Sequence, residues 1–265
     1  MKIEPGMSIV AILAHPDDVK SVTGVALRAL AHQSVFSLIL VTKGEALYSA
    51  ARSTLTPLEM GQLRLRELHR FLNLVGIPEE NLSVIGIPDG SQTLPALRDD
   101  FFQAKGEPFL DPLLQVDQVP YDDVYRPGMA FYGETFLDGL CELLLPLKPD
   151  MTLTHHPQDD HADHRAVSFF ARQAHQQLHR QGKLEHTPPI YAPLIYYRRC
   201  GWPPAGDTFF VDKIVGRFPG LEAIRFHLTE PERTLKARAA MEFTPTLSEA
   251  YIRSNMKADE VLWRL

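Results

Sequence analysis

The residues with the most chemistry in this 265-residue chain lie in two short segments, His15-Pro16-Asp17-Asp18 and His155-His156-Pro157-Gln158-Asp159-Asp160-His161-Ala162-Asp163-His164. Two adjacent carboxylates beside an imidazole repel one another and must shed water, a cost that a bound divalent cation offsets. A histidine and an aspartate three residues apart can converge on one ion in a tight turn, leaving the middle carboxylate, Asp17, to face a bound water. In the later segment His161 and His164 share one face of a helical turn, and Asp163 can accept the ring N–H of a neighbouring imidazole. Each segment alone has a plainer reading: Asp17 and Asp18 as helix caps beside a surface histidine, and a solvated His-rich loop. Together they offer His15, Asp18 and His164 as three protein ligands with a fourth position open, the donor set expected of a catalytic zinc site.

Such a site needs elements that bring the two segments together. SIVAILA at 8–14 is an almost wholly apolar, Ile- and Val-rich run, the pattern of a strand buried on both faces, and it ends at His15. Apolar residues then recur at helical spacing from Val19 to Leu30, and VFSLILV at 35–41 supplies a second strand. A helix is expected from Pro57, with Thr56 and Glu59 as a capping box and Gly76 as its stop. Strands at 82–87 and 151–154 and helices at 136–147 and about 163–181 complete an alternation of strand and helix. That alternation predicts an α/β, Rossmann-like, doubly wound and mostly parallel sheet, in which ligands bind beyond the carboxyl ends of the strands. Both His-rich segments follow strands. The Pro- and aromatic-rich stretch at 188–204, a late strand at 209–211, a helix opened by Thr229 and Glu232 and another at about 247–256 read as a smaller C-terminal cap. One domain over 1–265 is expected, with the core at 1–185 and the cap and C-terminal helices at 186–265.

Composition narrows the function classes. The formal net charge is −6 with 27 basic and 33 acidic residues, and no basic stripe could neutralise phosphates along a nucleic acid. No apolar run reaches the roughly 20 residues of a membrane span, and residues 1–6 lack the layout of a signal peptide, so a cytoplasmic protein is expected. The two cysteines, Cys141 and Cys200, form no CxxC pair, so a metal would be held by histidine and carboxylate.

AHPDD at 14–18 with HADHR at 161–165, supported by VTKGE at 41–45 and RLREL at 64–68, resembles the PIG-L family of N-acetylglucosaminyl deacetylases, also called LmbE-like. The resemblance covers the first two thirds of the chain. It implies one zinc held by His15, Asp18 and His164, with Asp17 as general base. Protonated His161 would stabilise the oxyanion, Asp163 would orient His161, and Arg64, three residues before Glu67, would lie near the sugar hydroxyls. The implied activity is removal of an acetyl group from the nitrogen of an amino sugar or a related small molecule. Many members read AHPDDE, whereas Val19 and Lys20 follow here, and the expected chemistry requires neither. Asp89, in a Pro-Asp-Gly turn, needs no function to explain it, although it could bind a substrate hydroxyl.

Two rival readings remain. A metal-dependent phosphoesterase would hold two ions about 4 Å apart, with Asp159 and Asp160 as bridging carboxylates. A non-catalytic sugar- or nucleotide-binding module would keep the fold, although no GxGxxG follows the first strand. A homo-oligomer built through the aromatic-rich cap is compatible with the sequence.

Overall fold

In the computed structural model, which describes residues 1–47, 54–101, 106–200, 222–254 and 256–265, one seven-stranded sheet organises the chain. Its strands are β1 (Ser8–Leu13), β2 (Val35–Leu40), β3 (Leu82–Val84), β4 (Met151–Leu153), β5 (Ile190–Pro193), β6 (Glu222–His227) and β7 (Asp259–Arg264), in the order β3-β2-β1-β4-β5-β7-β6. The first five run parallel, and β7 and β6 close the sheet antiparallel. The strand order reverses between β1 and β4, the place where doubly wound sheets open a crevice.

β1 is buried on both faces, as its continuous apolar run requires. Ile9, Ala11 and Leu13 join one core cluster, and Val10, Ile12 and Ala14 join the other. The first cluster packs under α1 (Thr23–Ala31) and α2 (Pro57–Val75), the second under α4 (Gly133–Leu147) and α5 (Ala162–Arg180). α2 begins and ends where its signals predict. Thr56 accepts from the Glu59 N–H, the Glu59 carboxylate accepts from the Thr56 N–H at 2.7 Å, and Gly76 adopts φ +87°.

Several elements differ from expectation. The ladder of β3 stops at Val84, although Ile85 and Ile87 still donate to β2 and its extension, because Gly86 turns at φ +85°. A short helix, α3 (Thr93–Asp99), adds to the expected elements; Pro95 falls in its first turn, where a missing N–H costs nothing. Three of the seven strands come from beyond position 185, so the sheet runs through the expected core–cap boundary. β5 escaped notice because IYAP is short and sits among Pro and aromatic residues. The expected strand at 209–211 lies outside the described residues.

The C-terminal part is tied to the core from behind. α6 (Glu230–Ala240) is capped by Thr229 and Glu232 as its sequence predicts. Lys236 on α6 donates at 2.6 Å to Glu260 of β7, which also accepts from the Gly24 N–H at the start of α1. α7 (Glu249–Ser254) is shorter than expected, and the loop leading into it lies over the carboxyl ends of the strands. Among the described residues no helix is long and apolar enough to cross a membrane.

Candidate metal centre and active site

The two His-rich segments meet at the carboxyl ends of β1 and β4. A tight 3-10 turn over Pro16–Ser21 folds Asp18 back on His15, whose backbone N–H donates to Asp18 Oδ2 at 2.8 Å. His164 enters from the first turn of α5. His15 Nδ1 lies 3.1 Å from Asp18 Oδ2 and 3.2 Å from His164 Nε2, and His164 Nε2 lies 3.4 Å from Asp18 Oδ2. Ligand atoms bound tetrahedrally to zinc at 2.0–2.1 Å stand about 3.3 Å apart, so this triangle has the size the ion requires. Two imidazole nitrogens this close, both buried, would oppose their lone pairs unless a cation or a proton lay between them. The donor set therefore fits a divalent ion.

Each candidate histidine ligand is backed by carboxylate on its far nitrogen. His15 Nε2 lies 3.1 Å from Asp89 Oδ1 and 3.5 Å from Asp163 Oδ2. His164 Nδ1 lies 3.1 Å from Asp159 Oδ1. Such carboxylates make the ligand nitrogen more basic, and the hydrogen bond between His15 Nε2 and Asp89 Oδ1 also fixes the orientation of that ring. His155, fully buried, stacks on the His164 ring at 3.9 Å with planes 6° apart, and its Nε2 accepts from the Ala14 N–H at 2.8 Å.

The electrostatics follow from these contacts. Burial opposes charge on Asp18, but the imidazoles of His164, His15 and His155 outweigh it and hold the carboxyl well below its usual range. Burial likewise opposes charge on His164, and the Asp18 and Asp159 carboxylates overcome it, pushing the imidazole up to about 9. Asp89 and Asp18 raise His15 well above its ordinary value against the same penalty. A pair of acid-held imidazoles is a site where protons occupy the place of a cation.

Asp17, the carboxylate next to Asp18, lines the same cavity and is held by two cations. Its Oδ1 accepts from Arg64 Nη2 and its Oδ2 from Lys20 Nζ at 2.9 Å. Arg64, expected near substrate hydroxyls, is buried, gives Nη2 to Asp17 and donates Nη1 to the Gly44 carbonyl at 3.2 Å. Among the described residues its Nε has no hydrogen-bond partner. Gly44 adopts φ +81°, and a Cβ there would run into the guanidinium.

His161 caps α5 and is partly open to the pocket. Its Nδ1 is 3.8 Å from Asp163 Oδ2, beyond hydrogen-bond range, and Asp163 instead accepts from the Ser91 N–H at 3.0 Å and flanks His15. Burial and the neighbouring His15 and His164 push His161 down to about 3, so the expected protonated imidazole is here a neutral one. The reason is geometric: two cation-holding rings stand within 4.6 Å of it, and its carboxylate is turned elsewhere.

These groups line a cavity of about 720 Å³, within the usual range for small-molecule sites. Its floor holds His15, Asp17, Asp18, Arg64, Asp89 and His161. Tyr196 and the C-terminal residues Thr246, Leu247, Ser248 and Tyr251 form a wall. Thr246 is anchored by donating to Glu67 Oε2 at 2.5 Å, and the Tyr196 and Tyr251 hydroxyls bond to each other. Of the wall, only its place in the expected C-terminal cap was legible in the sequence. Asp89 had a signal that the turn reading overrode, because it follows a strand of a parallel sheet. Asp159 and Asp160 are not bridging ligands: Asp159 backs His164 and accepts from the Ile195 and Tyr196 N–H groups, and Asp160 accepts from the Arg198 N–H.

Among solved structures, N,N′-diacetylchitobiose deacetylase from Pyrococcus horikoshii matches with TM-score 0.59 and 14% identity, over 97% of this chain and 83% of that one. The zinc-inhibited form of teicoplanin deacetylase Orf2 matches with TM-score 0.59 and 14% identity, over 97% of each chain. The 4-carboxy-2-hydroxymuconate hydratase GalB from Pseudomonas putida KT2440 matches with TM-score 0.55 and 12% identity, over 96% of this chain and 83% of that one. At such identities these likenesses establish a shared fold. No curated protein matches the chain. The family model described as GlcNAc-PI de-N-acetylase matches residues 10–175, more than half of the chain and both His-rich segments, and the chain therefore belongs to the PIG-L family.

Proposed function

We propose that this protein is a zinc-dependent N-deacetylase acting on an N-acetylated amino sugar or a related small molecule, with one ion per chain. The observation that carries the reading is the triangle of His15 Nδ1, Asp18 Oδ2 and His164 Nε2, beside a small-molecule cavity that Asp17 also lines. Family membership and the deacetylases that share the fold point the same way. A two-metal phosphoesterase would need bridging carboxylates, and both residues suggested for that task are engaged elsewhere.

His15, Asp18 and His164 would hold the ion, which when bound supplies Lewis acidity by lowering the pKa of a water and polarising an amide oxygen. Asp17 would act as general base, taking a proton from the water that attacks the acetamide carbonyl. His161, neutral, donates a ring N–H to the developing oxyanion, a contribution worth on the order of a hundredfold in rate. The C–N bond then breaks, and Asp17 returns its proton to the departing amine, so that one water yields acetate and a free amine. Asp163 and Asp89 hold His15, Asp159 holds His164, and Arg64 fixes Asp17. The wall formed by Tyr196 and residues 246–251 packs against the sugar.

The test is acetate release from a panel of N-acetylated sugars by the zinc-loaded protein. Asp17→Asn is expected to abolish release while binding zinc as tightly as the parent. Unchanged turnover in that variant would remove Asp17 from the reaction, and no acetate from any member of the panel would overturn the deacetylase reading.

A further inference from the structure

Lys20 is the residue that the expected chemistry left without a task, yet its side chain is almost wholly buried beside the reacting groups. Burying an ammonium is costly unless a counter-charge and suitable neighbours compensate. Both are present. Lys20 Nζ donates to Asp17 Oδ2 at 2.9 Å, and it sits 5.0 Å from the Tyr251 ring centroid and 5.5 Å from that of Phe243, within cation–π range. The two rings belong to the C-terminal part of the chain, outside the matched residues 10–175.

The partition of contacts on Asp17 is informative. Arg64 holds Oδ1 and Lys20 holds Oδ2, so each oxygen of one carboxylate has its own cation. A carboxylate held by one donor can still turn about its Cβ–Cγ bond; held at both oxygens from different elements, α2 on one side and the Pro16–Ser21 turn on the other, its plane is fixed. Arg64 is itself tied to the Gly44 carbonyl, and Lys20 is tied to the two rings. Lys20 is not among the residues that line the cavity, so it does not meet substrate.

We infer that Lys20 is a positioning residue for Asp17, locking the carboxylate plane and linking it to Phe243 and Tyr251 of the C-terminal segment. The inference rests on the assignment of Asp17 as the base. Misplacing a reacting group by about 1 Å can cost on the order of a hundredfold in rate without loss of binding.

The experiment uses the full-length zinc-loaded protein and the best substrate from the panel. Lys20→Met keeps the aliphatic stem and removes the charge, and is expected to lower kcat by about 10–100-fold. KM should stay within about twofold and zinc affinity, measured against a chromophoric chelator, should not change. Lys20→Arg should restore most of the lost kcat. If Lys20→Met does not fold, Lys20→Gln, which keeps a polar contact to Asp17 without the charge, carries the same expectation. Parental kcat in the neutral variant overturns the inference. So does a loss confined to KM or to zinc affinity, which marks a structural role. Failure of the base assignment reads differently: Asp17→Asn would then retain turnover, whatever Lys20→Met does.

Discussion

Asp159→Asn and Asp89→Asn test the candidate metal centre by a comparison whose order is set by geometry. Removing a carboxylate behind a ligand histidine typically costs 10–100-fold in metal affinity, or about 1.4–2.7 kcal/mol. Behind His15 there are two, Asp89 Oδ1 at 3.1 Å and Asp163 Oδ2 at 3.5 Å, so Asp89→Asn leaves a carboxylate in reach and should fall near the tenfold end. Behind His164, Asp159 is the one carboxylate recorded at Nδ1 among the described residues, at 3.1 Å, so Asp159→Asn should approach a hundredfold. In asparagine the carbonyl can still accept from the Ile195 and Tyr196 N–H groups, while the amide NH2 replaces the oxygen that accepts from the His161 N–H. Competition for zinc against a chromophoric chelator at fixed pH reads both constants. Parental affinity in Asp159→Asn, or a larger loss in Asp89→Asn than in Asp159→Asn, would refute the reasoning.

Two further outcomes follow from buried charge. A ligand imidazole must be neutral, and His164 is held protonated up to about 9, with His15 also raised. Zinc binding at pH 8 should therefore release between one and about two protons, and apparent affinity should rise steadily with pH toward 9, whereas unperturbed imidazoles would level off above about 6.5. Because the folded value lies above the unfolded one, His164 contributes stability to the metal-free protein below about 6.5, and that contribution is lost as pH rises through 9. Potentiometric titration in unbuffered solution checks the proton count, and release near zero would contradict it. In the C-terminal part, Lys236→Met strands Glu260 in the interior and should destabilise the fold by about 3–5 kcal/mol in urea. Adding Glu260→Leu should recover only part of this, since Glu260 also accepts from the Gly24 N–H. A loss below about 1 kcal/mol for the single variant would show that the pair is not the clamp described.

The hydratase that shares this fold is a reminder that architecture alone does not choose a reaction. In this chain the choice rests on the atoms at the carboxyl ends of β1 and β4.

What the sequence determined by itself was local or near-local. An Ile- and Val-rich run with no polar face can only be an interior strand, so β1 was legible, and Thr56, Glu59 and Gly76 bracketed α2 because caps are satisfied within a few residues. The triad His15, Asp18 and His164 could be nominated because two of its members lie in one turn and the third sits in an unmistakable motif. Tertiary structure decided everything that depends on residues far apart in sequence. Asp89 meets His15 across 74 positions, Thr246 meets Glu67 across 179, and the rings of Phe243 and Tyr251 close over Lys20 from the far end of the chain. No local pattern encodes which carboxylate faces which imidazole, so Asp163 stands beside His15 and His161 stays neutral. Hydrogen bonds and ion pairs act over a few ångströms, and only the folded sheet determines which distant side chains come within that reach.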